Sequence, residues 1–300
     1  MSVNQPRQIY HCFSCGAGGD VFKFVMEYEN LTFPEAMKVL AERAGISLPK
    51  RETSKEARQQ ADIKAQIMEM NKLAAKFYYY TLRQPAGKVG LDYLLRRQLS
   101  QETIHRFGLG YADQYSNSLY QYLKNKGYSD QLLKESGLVQ ADEKRGMYDK
   151  FWNRVIFPIM DIRNRVIGFG GRVMGDGKPK YLNSPETKVF DKSRNLYGLH
   201  LARLSRKPNI ILCEGYMDVI AMHQAGFPQA VASLGTAFTV QQSAILKRYT
   251  NEVLLTYDND EAGVRAALRA IPILRDAGLS AKIINMEPYK DPDEFIKAMG

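Results

Sequence analysis

The hydrophobic period of the chain changes twice along its length. In the first part, a short strand and a Cys/Gly-rich knuckle lead into helical spacing, where Val21, Phe22, Val25 and Met26 share a face and Asp20 stands as an N-cap. Residues 32–44 predict a second helix, with Pro34 tolerated in its first turn and Gly45 ending it. Residues 48–56 are polar and without period, which predicts an interdomain linker. From residue 54 to 82, Ile63, Ile67, Met70, Leu73, Ala74 and Phe77 fall on one stripe and predict a long amphipathic helix. Two or three short helices follow to about residue 137. From residue 151 the period becomes that of strands: 154–160 and 165–172 predict a hairpin turning at Arg163-Asn164.

The last third alternates. Strands are expected at 209–213, 230–233, 252–257 and 281–285, with helices at 217–225, 240–248 and 262–277. Such alternation predicts an α/β fold with a parallel sheet flanked by helices. There is no internal repeat and no low-complexity tract.

Composition adds limits. In 300 residues, 45% are apolar and 25% charged, the balance of a globular chain with a real core. No apolar run approaches the roughly 18 residues of a membrane span, and no secretory leader is visible, so a cytoplasmic protein with no membrane partner is expected. Three cysteines do not make a disulfide framework. Cys213 sits in the apolar run Ile210-Ile211-Leu212 and is expected in the core, while Cys12 and Cys15 form a C-x-x-C pair. The net charge of +10 favours a polyanionic partner, nucleic acid or an anionic surface.

Acidic residues follow the expected strands. Glu214 closes the first, with Asp218 one helical turn on; Asp258 and Asp260 follow the third; Asp291, Asp293 and Glu294 follow the last. Ligands of open α/β sheets gather beyond the carboxyl ends of strands. Carboxylates at i and i+2 of extended chain point the same way and can share a cation. Hard divalent ions take such oxygen ligands, together with phosphate oxygens. A single loop carboxylate is ordinarily solvated or a helix cap; clusters at successive strand ends point to a site.

Three stretches, Glu214-Gly-Tyr-Met-Asp218, Tyr257-Asp-Asn-Asp260-Glu-Ala-Gly263 and Lys290-Asp-Pro-Asp-Glu294, resemble the signatures of the Toprim domain, shared by primases, topoisomerases and some nucleases. The resemblance implies that Glu214, Asp258 and Asp260 hold catalytic Mg²⁺, with Mn²⁺ as a substitute, and that Asp218, Asp291 and Asp293 support them. Asn259 departs from the glycine more common in primases. Ahead of these lie Arg154-Val-Ile-Phe-Pro-Ile, Gly168-Phe-Gly-Gly-Arg172, Pro179-Lys-Tyr-Leu-Asn-Ser-Pro-Glu-Thr187 and Leu196-Tyr-Gly-Leu199, similar in order and spacing to the polymerase domain of bacterial DNA primases. That likeness covers residues 9–295 and implies that Arg154, Arg172, Lys180, Asn183 and Lys192 line a groove for single-stranded template and ribonucleoside triphosphates. Arg58, Lys64, Lys72 and Lys76 are expected on a solvated helix face, and Tyr78-Tyr79-Tyr80 in packing rather than base stacking.

The implied organisation is a partial zinc-ribbon domain at 1–47, a linker at 48–56, a mixed α+β basic subdomain at 57–207 and a Toprim subdomain at 208–300. The implied function is primer synthesis on single-stranded DNA. The alternatives are another Toprim enzyme (nuclease or topoisomerase) or a non-catalytic fragment that binds single-stranded DNA. The replicative helicase is a partner of the intact family, and its binding domain is not recognisable in these residues. Tyr10-His-Cys12-Phe-Ser-Cys15 is similar to the second half of the primase zinc ribbon, whose first C-x-x-H pair is not among these residues; His11, next to Cys12, would point to the opposite strand face. Zinc belongs to the intact family, and tight zinc is not expected here. Atomic absorption on chelator-washed protein checks this, and one firmly held zinc per chain contradicts it.

Overall fold

The structure, a computed structural model, describes residues 1–13, 16–29, 31, 33–48 and 55–299. Cys15 and most of the expected linker lie outside the described residues. The chain divides into two compact units, Met1–Arg58 and Gln59–Gly300. No helix among the described residues is long and apolar enough to cross a membrane.

In the first unit, β1 (Ser2–Asn4), β2 (Ile9–His11) and β3 (Gly18–Asp20) form an antiparallel sheet in that order, followed by α1 (Val21–Tyr28) and α2 (Phe33–Arg43). The Asp20 side chain accepts from Lys23 N at 2.8 Å and starts α1 as the sequence predicts. Cys12 opens the knuckle after β2: its N–H donates to the Ala17 carbonyl at 2.7 Å, and its carbonyl accepts from Gly16 N at 2.8 Å. Tyr10 is the buried residue of β2, with its ring edge-on to Phe24 at 5.1 Å.

The second unit begins along α3 (Lys55–Leu82), whose Ile67, Met70, Ala74, Tyr78 and Leu82 are fully or nearly buried at helical spacing. Tyr78 packs edge-on to Phe169 at 5.5 Å, the packing role expected for the tyrosine run. The helices α4 (Lys88–Arg96) and α5 (Gln101–Arg106) lead to β4 (Gly110–Ala112), then α6 (Ser118–Asn125), α7 (Asp130–Glu135) and the hairpin β5 (Val139–Asp142) with β6 (Gly146–Asp149). The strands β7 (Arg154–Met160), β8 (Val166–Val173) and β9 (Tyr181–Asn183) complete an antiparallel sheet in the order β4-β7-β8-β9. Its central hairpin pairs Arg154 with Val173 and Pro158 with Phe169.

After α8 (Leu199–Ala202) the chain alternates: β10 (Asn209–Cys213), α9 (Tyr216–Gln224), β11 (Ala230–Ala232), α10 (Val240–Leu246), β12 (Glu252–Thr256), α11 (Glu261–Asp276), β13 (Ser280–Ile283) and α12 (Pro292–Met299). The sheet is parallel throughout, in the order β11-β10-β12-β13. The fold class is therefore the expected one. Central β10 is a continuous apolar run because helices cover both faces of a parallel sheet. Cys213 is fully buried in it, and burial pushes its thiol up, away from reactivity.

The two sheets share one core, in which Val155, Phe157 and Ile159 of β7 cluster with Ile211, Cys213, Tyr216 and Ile220. Tyr216 is the joint. Its ring stacks on Phe157 at 5.0 Å and meets Tyr197 edge-on at 4.6 Å, and its hydroxyl donates to Asn183 Oδ1 at 2.7 Å. Gly170 on β8 faces this ring, and a Cβ there would overlap it.

Two buried histidines sit beside this joint. His223 Nε2 bonds the Ala230 carbonyl at 2.9 Å, and its ring meets Phe107 edge-on. Burial pushes both His200 and His223 down to about 4; the charge of His223 adds to the effect on His200. A folded-state pKa below the unfolded value means that this stability is complete above about pH 6.5 and is lost as pH falls toward about 4. Asp149 acts with the opposite sign, since burial raises it to about 6 although it accepts from Leu119 N and Tyr120 N. The two effects separate in a variant. Replacing His200 and His223 with Gln should lose its stability deficit relative to wild type between pH 6.5 and 4, by up to about 3 kcal/mol per histidine, in urea titrations at each pH. A deficit independent of pH would contradict the assignment.

Candidate active site

Strand register builds the site. Cys213 pairs with Thr256 at the ends of β10 and β12, so Glu214 and Asp258 leave adjacent strands at the same edge of the sheet. The Asp258 backbone amide engages the Glu214 carboxylate, and burial followed by the charges of Asp258 and Asp260 pushes Glu214 up. Asp258 is raised by burial and by Asp291, against the pull of Lys290 and Lys180. Asp218, 8% exposed, is pushed up to about 8 by burial, then by Asp291 and Asp258. Its Oδ2 also accepts from Gly215 N at 3.0 Å, which holds the first turn of α9.

The paired aspartates have different surroundings. Asp260 is exposed and caps α11, accepting from Ala262 N at 3.0 Å and Gly263 N at 2.9 Å, and these bonds hold it below the usual carboxylate range. Gly263 is required there because a Cβ would collide with the Asp258 carbonyl oxygen. Asn259 ties this loop to the next acidic stretch: its N–H donates to the Lys290 carbonyl at 2.8 Å, and its Nδ2 donates to the Tyr289 carbonyl at 2.7 Å. Asp291 caps α12 by accepting from Glu294 N at 2.8 Å. Asp293, in contrast, is paired with Arg97 and Lys297.

Among the described residues, Glu214, Asp218, Asp258 and Asp291 form no ion pair with a protein cation. The raised carboxylates therefore carry a local charge excess that a divalent cation would relieve, and the donor set is the all-oxygen one that Mg²⁺ takes. Their side chains are not gathered closely enough for three of them to enclose an ion, and no other described Asp, Glu, His or Cys residues do so. Cys12, partly exposed, is the one expected zinc ligand among the described residues.

The expected groove cations divide by their partners. Lys180 is exposed and acts on Asp258. Arg154 is 7% exposed, and its Nη1 donates to the Pro179 carbonyl at 3.0 Å and the Gly171 carbonyl at 3.2 Å, bracing the loop that presents Lys180. The Arg172 guanidinium lies 4.4 Å over the Tyr93 ring, and its Nη1 donates to the Val173 carbonyl. The Asn183 amide is spent at both ends, on Tyr216 and, through Nδ2, on the Leu234 carbonyl at 2.8 Å. Lys192 stands with Arg154 near Lys150, which is held down by burial and then by these two charges.

Tyr93, Arg97, Tyr181, Arg269 and Lys290 carried no expected role. The Tyr181 phenol, on a residue 38% exposed, is raised by desolvation and then by Tyr93, while the charges of Arg172 and Arg97 pull it down. A cavity of about 300 Å³ opens beside Glu214, with Thr236, Phe238, Tyr257 and Arg269 in its wall. Lys290 and Tyr181 lie inside quoted motifs and were findable there; Tyr93, Arg97 and Arg269 come from helices whose pattern signals only amphipathicity. A larger cavity, about 820 Å³, runs between α3 and the β7–β8 turn and includes none of the Toprim-like carboxylates.

Comparison with known proteins gives the family. Residues 77–203 match the family described as DNA primase catalytic core, N-terminal domain; residues 211–296 match Toprim-like, and residues 1–56 match CHC2 zinc finger. The DNA primase of Clostridium acetobutylicum is 45% identical over 300 residues, covering 100% of this chain and 50% of that protein. That of Synechococcus elongatus is 40% identical, covering 99% and 44%. The chain thus spans about half the length of the curated relatives it matches. Among solved structures, the DnaG primase catalytic domain bound to single-stranded DNA has a TM-score of 0.74 at 38% identity, covering 80% of this chain and 77% of that one. The zinc-binding and RNA polymerase domains of the Aquifex aeolicus primase have a TM-score of 0.72 at 36% identity, covering 99% and 72%. Fold, strand-end carboxylates and matched relatives place this chain in the DNA primase family.

Proposed function

We propose that this chain carries the RNA-polymerising centre of a primase, a DNA-directed nucleotidyltransferase that joins ribonucleotides on a single-stranded DNA template. The carrying observation is the exit of Glu214 and Asp258 from adjacent strands at the same sheet edge, one and two residues beyond the Cys213↔Thr256 pair, with Lys180 of the antiparallel subdomain close enough to act on Asp258. Carboxylates that hold a divalent cation thus stand beside a cation that can meet phosphate.

Glu214, Asp258 and Asp260 would hold Mg²⁺, or Mn²⁺ in its place, with Asp218 and Asp291 alongside. When bound, the ion supplies Lewis acidity that favours an alkoxide nucleophile and stabilises charge on the leaving oxygens. The protein supplies position. Lys180 and Arg172 offset phosphate charge, and Arg154 holds the Lys180 loop rigid against Gly171 and Pro179. Asn183 acts by fixing Tyr216, and through it the Glu214-Gly215 turn, to the antiparallel sheet. Lys192, with Lys150 and Arg154, forms a basic cluster suited to template phosphates. A single-stranded template is supported by the likeness to a primase domain solved with single-stranded DNA.

Asp258→Ala should abolish Mg²⁺-dependent ribonucleotide incorporation on single-stranded DNA, with DNA binding at fixed ionic strength kept within about threefold. Retained synthesis would remove Asp258 from the metal site. Relaxation or cleavage of supercoiled plasmid without nucleotides would favour a different Toprim chemistry.

A further inference from the structure

Asp293 belongs to the third acidic stretch, yet its surroundings set it apart from Glu214 and Asp258. Its side chain is 4% exposed, and Oδ2 accepts from both Arg97 Nη2 and Lys297 Nζ, the latter at 2.6 Å. A carboxylate already shared by two cations presents little negative field to a third. Its location on α12 also makes it a long-range tie, because Arg97 lies at the end of α4 in the other subdomain.

The turn after Arg97 is held a second time. Gln224, at the end of α9, donates from Nε2 to the Gln98 carbonyl at 2.8 Å and accepts at Oε1 from Ser100 N at 2.8 Å. Helices α9 and α12 of the parallel subdomain together fix the segment that carries Arg97. The guanidinium itself is one-third exposed, its charge and that of Arg172 bear on the Tyr181 phenol, and its partner Asp293 stands two residues from Asp291, whose charge acts on Asp258 and Asp218. A fork-shaped cation in that place suits the triphosphate of an incoming nucleotide.

We infer that Asp293 is a positioning residue: together with Lys297 it holds the Arg97 guanidinium at the rim of the carboxylate cluster to receive nucleotide phosphate, and it is not itself a ligand of the divalent cation. This rests on the polymerase reading. The work of α12 is thus divided, with Asp291 at its cap facing the carboxylates and Asp293 turned toward α4.

The test compares Asp293→Asn, Arg97→Met, their double variant and Asp258→Asn. Two quantities are measured: Mn²⁺ bound per chain, by electron paramagnetic resonance, and kcat and KM for ribonucleotides in templated extension. Asp293→Asn and Arg97→Met should each raise nucleotide KM by about fivefold or more with a smaller change in kcat, and the double variant should be no worse than the singles. Mn²⁺ affinity should stay within about twofold of wild type in all three, while Asp258→Asn weakens it by roughly tenfold or more. Loss of Mn²⁺ affinity in Asp293→Asn comparable to that in Asp258→Asn overturns the inference, as does an unchanged KM in Arg97→Met. Unaltered Mn²⁺ binding in Asp258→Asn instead overturns the polymerase site and leaves the Arg97 result readable. If Asp293→Asn fails to fold, Arg97→Met and Arg97→Lys decide the matter, the lysine keeping the charge without the fork and recovering KM only in part.

Discussion

Carboxylates repel one another, and this fold depends on holding a group of them together at the edge of one parallel sheet. Burial and like charge both disfavour the ionised form, so such a cluster needs a frame that fixes its backbone. The frame is the β10–β12 ladder, continuous from Asn209↔Glu252 to Cys213↔Thr256, with buried side chains on both faces. Burial first, and then the charges of neighbouring carboxylates, raise the affinity of Glu214, Asp258 and Asp218 for protons. Asp260 escapes this rise by giving its charge to two backbone amides at the start of α11. One capped carboxylate and several with raised proton affinity thus stand on a backbone that is already fixed.

A second constraint follows, because Arg154, Arg172 and Asn183 belong to another sheet. Tyr216 solves the placement, since it is at once the second residue after Glu214 and the ring packed between Phe157 and Tyr197. The carboxylate and the wedge are almost adjacent in sequence, so a shift of either sheet moves both. Burial of an aromatic ring of this kind is worth about 3–5 kcal/mol when truncated, enough to hold the two subdomains in a single register. The missing Cβ of Gly170 and the amide of Asn183 are what the antiparallel sheet contributes to the same joint.

The elements most legible in the sequence are those set by periodicity alone. The long helix runs Lys55–Leu82 against an expected 54–82, and the alternating strands and helices of the last third fall within two residues of their expected bounds, with the strands all parallel. The carboxylates were legible because strand ends and acidic residues coincide in sequence. The partners of the cations were not. Nothing in Arg154-Val-Ile-Phe signals that the guanidinium would turn back onto the Pro179 carbonyl, and Asn183 reads equally as a ligand contact or as a bond to Tyr216. Arg97 was invisible because an ion pair across 196 residues leaves no local pattern. Cys15 falls outside the described residues, so the zinc half-site stays as the sequence left it.

Among the basic residues, what matters chemically is which charges remain unspent. Arg154 is consumed by carbonyls, and the Arg172 guanidinium lies on an aromatic face and a carbonyl. Cations held this way lose rotamer freedom before any ligand arrives, which reduces the entropic cost of binding for their neighbours. Lys180 is the counterpart: exposed, free of an ion pair among the described residues, and carried on the loop that Arg154 braces. The net charge of +10 therefore understates the organisation, since part of the positive charge braces the backbone and only the remainder faces solvent.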